Sequence, residues 1–151
     1  MDVKVPYVAL SHKIHQKFLL SAQAQSRTNG EFVADCVKFE LTNDLTLWQK
    51  YFDGEIESPI YEVDYVKSEQ VRINRIELSI AVEKRLRRLC ELEGKPVVNV
   101  VSRLVTRHLE LRYDTVHLPV IKCHADSFGL SVGELEKMIR DGEKIPQPEK
   151  N

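Results

Sequence analysis

The sequence predicts a mainly α fold with a small two-stranded ribbon, and three observations predict it. Residues 7–43 and 75–111 align as two copies of one unit, displaced by 68 positions without a gap. Leu10/Leu78, Ser11/Ser79, Val33/Val101, Val37/Val105 and Leu41/Leu109 are identical, and Val8/Ile76, Ile14/Val82, Lys17/Arg85 and Phe18/Leu86 match in character. The identities alone are little more than chance; the ungapped register of apolar sites carries the weight. Second, each copy reads as a short strand, a helix, a tight turn and a second helix. Third, the chain after Tyr113 shows helical spacing only.

In the first copy, Val5 to Leu10 is the strand, with Pro6 near its start, where proline is tolerated. Ser11 is an N-cap, and Ile14, Phe18, Ala22 and Ala24 mark the buried face of the first helix. Ser26-Arg27-Thr28-Asn29-Gly30 breaks it. The second helix begins near Glu31 and carries Phe32, Val33, Cys36, Val37 and Leu41. It ends at Asn43-Asp44 or runs on through Leu45, Leu47, Trp48 and Phe52 to Gly54. In the segment that follows, Tyr61, Val63 and Tyr65 alternate with Glu62 and Asp64. Residues 60–66 are therefore an edge strand or an ordered loop packed by its aromatics.

The second copy is clearer. Arg72 to Leu78 is the strand and Ser79 again the N-cap. Val82, Leu86, Leu89 and Cys90 line the first helix. Glu93-Gly94-Lys95-Pro96 is a helix stop followed by proline near the next start. Val97, Val100, Val101, Leu104, Val105 and Leu109 line the second helix. It is rich in β-branched residues, so packing must hold it. Beyond Tyr113-Asp114, Leu118 to Phe128 forms a helix with Pro119 in its first turn. Gly129-Leu130-Ser131 turns the chain, and Ser131 with Glu134 has capping-box spacing ahead of Leu135, Met138 and Ile139. Residues 146–151 read as a polar, disordered tail. The divisions are 1–43, 44–69, 70–112, 113–145 and 146–151.

Composition bounds the function. Hydrophobic residues are 42% and charged residues 30%, which are globular values, and no apolar run approaches a membrane span. The start of the chain lacks the apolar core of a signal peptide. Cys36, Cys90 and Cys123 are widely spaced and odd in number, which suits a reducing cytoplasm. Net charge is −1 overall, but residues 70–112 hold ten Lys/Arg against five acids, whereas 44–69 hold seven acids against two lysines. A basic half hints at a polyanion, although it can also be a solvated surface.

The order strand, helix, glycine-containing turn, helix resembles the ribbon-helix-helix family of DNA-binding proteins. Arg72-Ile73-Asn74-Arg75-Ile76-Glu77-Leu78-Ser79, Leu86, Leu89, Glu93-Gly94-Lys95-Pro96, Val101 and Val105 carry the resemblance, and the first copy repeats it more weakly. The tandem pair also resembles duplicated forms among plasmid-transfer accessory proteins. The resemblance implies two ribbon-helix-helix units forming an intramolecular pseudo-dimer, with residues 5–10 and 72–78 paired antiparallel and the helices intertwined. Physics points the same way, since one strand and two short helices cannot bury their apolar faces alone. Pairing with another chain's copy, as a homodimer or higher assembly, is the other solution.

Such a ribbon enters the DNA major groove. Strict alternation from Val8 and Leu10, and from Ile76 and Leu78, turns Val5, Tyr7, Ala9, Ile73, Arg75 and Glu77 outward as base-contacting candidates. Arg75 is the natural guanine reader among them. The second-helix starts, with Arg27 and Thr28 in one copy and Lys95 and Val97 in the other, are the phosphate-contacting candidates. Their bland reading is ordinary turn chemistry. The segment around Gly129 resembles a helix-turn-helix, but Glu134, Glu136 and Asp141 are unfavourable beside phosphate. A hairpin that packs on the repeats or meets a protein partner is the stronger expectation.

His117, Cys123 and His124 lack metal-site spacing, so no metal is expected. There is no phosphate-binding glycine loop, nucleophile elbow or acid pair, so neither a cofactor nor an enzyme is expected. The leading expectation is a sequence-specific DNA-binding protein in the cytoplasm, acting as a transcriptional regulator or a plasmid or phage DNA-processing accessory factor. The alternative is a protein-interaction module on the same scaffold, through the hairpin or the acidic linker.

Overall fold

A computed structural model of the chain describes residues 3–62 and 70–148. Strands β1 (Val3–Ser11) and β2 (Gln70–Leu78) form one antiparallel ribbon. Helices α1 (His12–Ala24), α2 (Asn29–Asn43) and α3 (Leu45–Phe52) follow β1. Helices α4 (Ile80–Glu93) and α5 (Val97–Arg112) follow β2, and α6 (Leu118–Ser127) and α7 (Val132–Arg140) complete the order. The molecule is thus mainly helical, with a small two-stranded sheet.

Local chemistry accounts for the boundaries. Ser11 accepts the Ile14 N–H at 3.3 Å, and Thr28 and Glu31 form a reciprocal capping box that starts α2 at Asn29. Ser131 and Glu134 form the second such box. Ser79 stands at the N-cap of α4 without a side-chain cap bond. Gly94 closes α4 at φ +64°, a conformation only glycine takes freely. The second helix of the first copy neither stops for good at Asn43 nor runs on unbroken. Asp44 interrupts it and caps α3 by accepting the Leu47 N–H at 3.0 Å. Pro59–Glu62 is a 3-10 turn, so the edge strand begun at residue 60 is not formed there; residues 63–66 lie outside the described residues.

The core is reciprocal. Helix α2 packs against β2, α5 packs against β1, and α2 and α5 pack against each other. Val33, Val37, Leu41, Val101, Val105 and Leu109 are fully buried there. Each such side chain contributes about 1.5–3 kcal/mol of burial. Each strand is therefore covered by the second helix of the other segment, and neither segment buries its own strand alone.

Glu40 and His108, 68 positions apart, meet in this core. His108 Nδ1 donates to Glu40 Oε2 at 2.9 Å, while Arg107 pairs with Glu40 Oε1. Gln25 Nε2 donates to His117 Nδ1 at 2.8 Å, so His117 holds its proton on Nε2 and donates it to His108 Nε2 at 2.7 Å. Burial, and then the neighbouring His108, push the His117 pKa down to about 4. Burial pushes the Glu40 carboxyl up, but the His108 hydrogen bond and the charges of His108, Arg107 and Arg112 outweigh it and leave the pKa below the usual range. An ionised Glu40 and a neutral His117 follow. His117 reaches this chain because α5 continues through a π-helical turn, Tyr113–His117, into α6.

Helices α6 and α7 pack against α1, burying Ile121, Ala125, Leu135 and Ile139. The expectation of a disordered tail from residue 146 is corrected for 146–148. Ile145 is buried, and its N–H donates to Gln23 Oε1. Gln147 Nε2 donates to the Gln23 carbonyl, Ser26 donates to Gln147 Oε1, and His124 donates to the Pro146 carbonyl. These bonds strap the segment across the α1–α2 turn. Residues 149–151 lie outside the described residues.

Candidate nucleic-acid interface

The ribbon register decides which side chains reach solvent. Cα partners run from Val3↔Leu78 to Ser11↔Gln70 and always sum to 81, with only Pro6↔Arg75 missing. Partners across an antiparallel pair share a face, and faces alternate along each strand. With an odd sum and an even displacement of 68, regular alternation would turn equivalent residues of the two copies to opposite faces. The burial shows the reverse. Val5/Ile73, Val8/Ile76 and Leu10/Leu78 are buried in both copies, and Lys4/Arg72 are exposed in both. The alternation must therefore change phase at the centre, and it does so at Pro6 and Arg75. Pro6 has no N–H to give the ladder, and Arg75 sits at φ +60°. That left-handed conformation costs an arginine about 1–2 kcal/mol, held by the packing on either side.

Strict alternation consequently misplaces three of six candidates. Val5, Ala9 and Ile73 are only 1%, 3% and 5% exposed and belong to the core. The Ala9 N–H donates to Ser102 Oγ on α5 at 3.0 Å, which holds that stretch of β1 inward. Arg75 and Glu77 are exposed, as expected, whereas Tyr7 is half-buried. Lys4, Arg72 and Asn74 are exposed beside them and were missed. Proline inside a strand was the available signal of a phase change. The outer strip is thus Lys4, Tyr7, Arg72, Asn74, Arg75 and Glu77: three cations, one acid, one amide and one phenol. The Arg72 guanidinium lies 4.4 Å from the centre of the Tyr7 ring, which holds both side chains in a defined arrangement.

A groove of about 800 Å³ joins this strip to the start of α2, lined among others by Lys4, Arg27, Thr28, Gly30, Arg75 and Glu77. A Cβ on Gly30 would lie 3.6 Å from the Arg75 carbonyl oxygen, so ribbon and helix start adjoin. The two phosphate candidates are unequal. Arg27 binds Asp35 in a bidentate pair at 2.8 and 3.0 Å and also Glu31 at 3.2 Å. The hydrogen bond to Asp35, ahead of the acids' charges, raises its pKa further. Thr28 is already spent on the capping box. At α5 the N-cap is Pro96, without a side-chain cap bond; Lys95 is exposed and Val97 half-buried. The first turn of α5 has more donors to offer, with a cation beside it.

The histidines read as metal candidates are engaged in structure. His117 belongs to the buried chain, His124 bonds Pro146, and Cys123 is exposed. Among the described residues no three His, Cys, Asp or Glu side chains group as metal ligands. Among them, too, no helix is long and apolar enough to cross a membrane. No protein-family model matches the chain, and no curated protein or solved structure matches it.

Proposed function

We propose that the chain is a sequence-specific DNA-binding protein built as two tandem ribbon-helix-helix units that pair within one chain. The outer ribbon strip is the observation that carries this reading. Arg72 and Arg75 suit guanine, Asn74 suits adenine, and Glu77 accepts from the cytosine amino group. A two-stranded ribbon fits the width of the major groove. Reciprocal packing of α2 on β2 and of α5 on β1 supports the intramolecular pair. The complementary Glu40–His108 contact supports it too, because identical residues could not supply both a carboxylate and an imidazole at equivalent positions. Regulation of transcription and the handling of plasmid or phage DNA both suit such a module.

The test is binding of the full chain to mixed genomic duplex DNA, followed by anisotropy over a range of salt. Affinity should fall steeply as salt rises, since cations on the ribbon and near α5 release counterions from the phosphates. Binding that ignores salt, or no binding at low salt, favours a protein-interaction module on the same scaffold. Neutralisation of Arg27 by Asp35 and Glu31 is the observation on that side.

A further inference from the structure

The helix running from α5 through the π-helical turn into α6 buries one row of side chains, Leu109, Tyr113, His117, Ile121 and Ala125, at every fourth position. The opposite side is bare. Leu111, Val116 and Val120 are 49%, 37% and 41% exposed, and Pro119 and Cys123 lie in solvent with them. One flank of this apolar strip carries Val116 and Val120. The other carries Asp114 and Lys122, both exposed, on either side of Leu118. Other exposed apolar side chains, Leu45, Ile56, Ile80 and Leu92, are scattered along the chain and form no comparable row.

We infer that this strip is the contact through which two copies of the chain associate, antiparallel about a twofold axis at Leu118. A twofold contact brings a surface against itself, so it must be self-complementary. In antiparallel helices related by such an axis, like flanks face each other. Counting outward from Leu118, Val116 of one copy meets Val120 of the other, and Asp114 meets Lys122. Leu111, Thr115, Pro119 and Cys123 interdigitate between the flanks. The charge pattern therefore closes on itself only when the helices run antiparallel; a parallel pair would set the flank of Asp114 and Lys122 against the partner's flank of Val116 and Val120 and leave both charges without a counterion. Glu110 and Asp126 face one another at the outer ends, where water screens them. The contact stands whether or not the ribbon binds DNA, because it lies on a different element and involves none of the ribbon residues.

Sedimentation of the full chain over low to high micromolar concentration tests it. A concentration-dependent dimer is expected. Val120→Glu should weaken it about tenfold or more, with the helical circular dichroism unchanged, because the site is exposed in the monomer. Asp114→Lys and Lys122→Asp should each weaken the dimer, by like-charge contact, and the double exchange should restore it. A monomer at every concentration overturns the inference. So does a dimer indifferent to Val120→Glu, or a double exchange that restores nothing.

Discussion

Arg75 and Ile73 lie two positions apart on one strand and do opposite work. Ile73 is core, so Ile73→Ala should cost about 2–5 kcal/mol of stability and leave base preference alone once the protein is folded. Arg75 is surface, so Arg75→Ala should leave the urea midpoint nearly unchanged and relax preference at one base pair by about 1–3 kcal/mol. Paired denaturation and binding titrations check both. Strict alternation of the sequence put these residues on one face. It failed because the pairing register, which no single strand encodes, is odd, and the phase change at Pro6 and Arg75 absorbs the mismatch. A second residue contrast concerns the phosphate candidates. Lys95→Ala should weaken binding to every DNA sequence alike, and more than Arg27→Ala, because Arg27 already holds Asp35 and Glu31. Equal losses from the two substitutions would contradict the asymmetry.

The elements themselves were largely legible. The strand and two helices of the second copy follow from apolar spacing, Gly94 and Pro96, and the hairpin from its capping box. The π-helical turn was not: it carries His117 to partners, His108 and Gln25, that apolar spacing does not indicate. That buried chain makes stability depend on pH. The folded-state pKa of His117 is near 4, below its ordinary 6.5, so the unfolded chain takes up the proton first. Stability is then lost as pH falls from about 6.5 towards 4, on the order of 2 kcal/mol by pH 5. Depression of the Glu40 pKa acts with the same sign, its stability being lost as pH falls through the folded value. Urea midpoints from pH 7 to 4 should show this slope, and His117→Gln should flatten it; an unchanged slope would contradict the assignment. In the shared core, Val101→Asp buries an unpaired charge and should leave the chain unfolded by circular dichroism. A folded, soluble Val101→Asp protein would count against the reciprocal packing.

On the scale of the whole molecule, two segments of one chain can differ at facing positions where the identical units of a homodimer cannot. Glu40 opposes His108, Tyr7 opposes Asn74 across the ribbon, and Arg27 is neutralised by Asp35 and Glu31, whereas among the described residues no ion pair holds Lys95. The sequence predicted an antiparallel pair of residues 5–10 with 72–78, and β1 and β2 do pair antiparallel, but the 68-residue displacement alone did not reveal which side chains would meet. A homodimer of single units presents two identical strands and reads a palindrome. Here Lys4 and Tyr7 come from one strand and Arg72, Asn74, Arg75 and Glu77 from the other, so one chain should read a non-palindromic element. Selection of bound duplexes from a random pool, with the protein-to-DNA ratio determined for the enriched sequence, measures this directly. The account predicts one asymmetric element per chain, with guanine preferences that weaken in Arg72→Ala and Arg75→Ala. No enrichment, or a palindrome bound by a single chain, would contradict it.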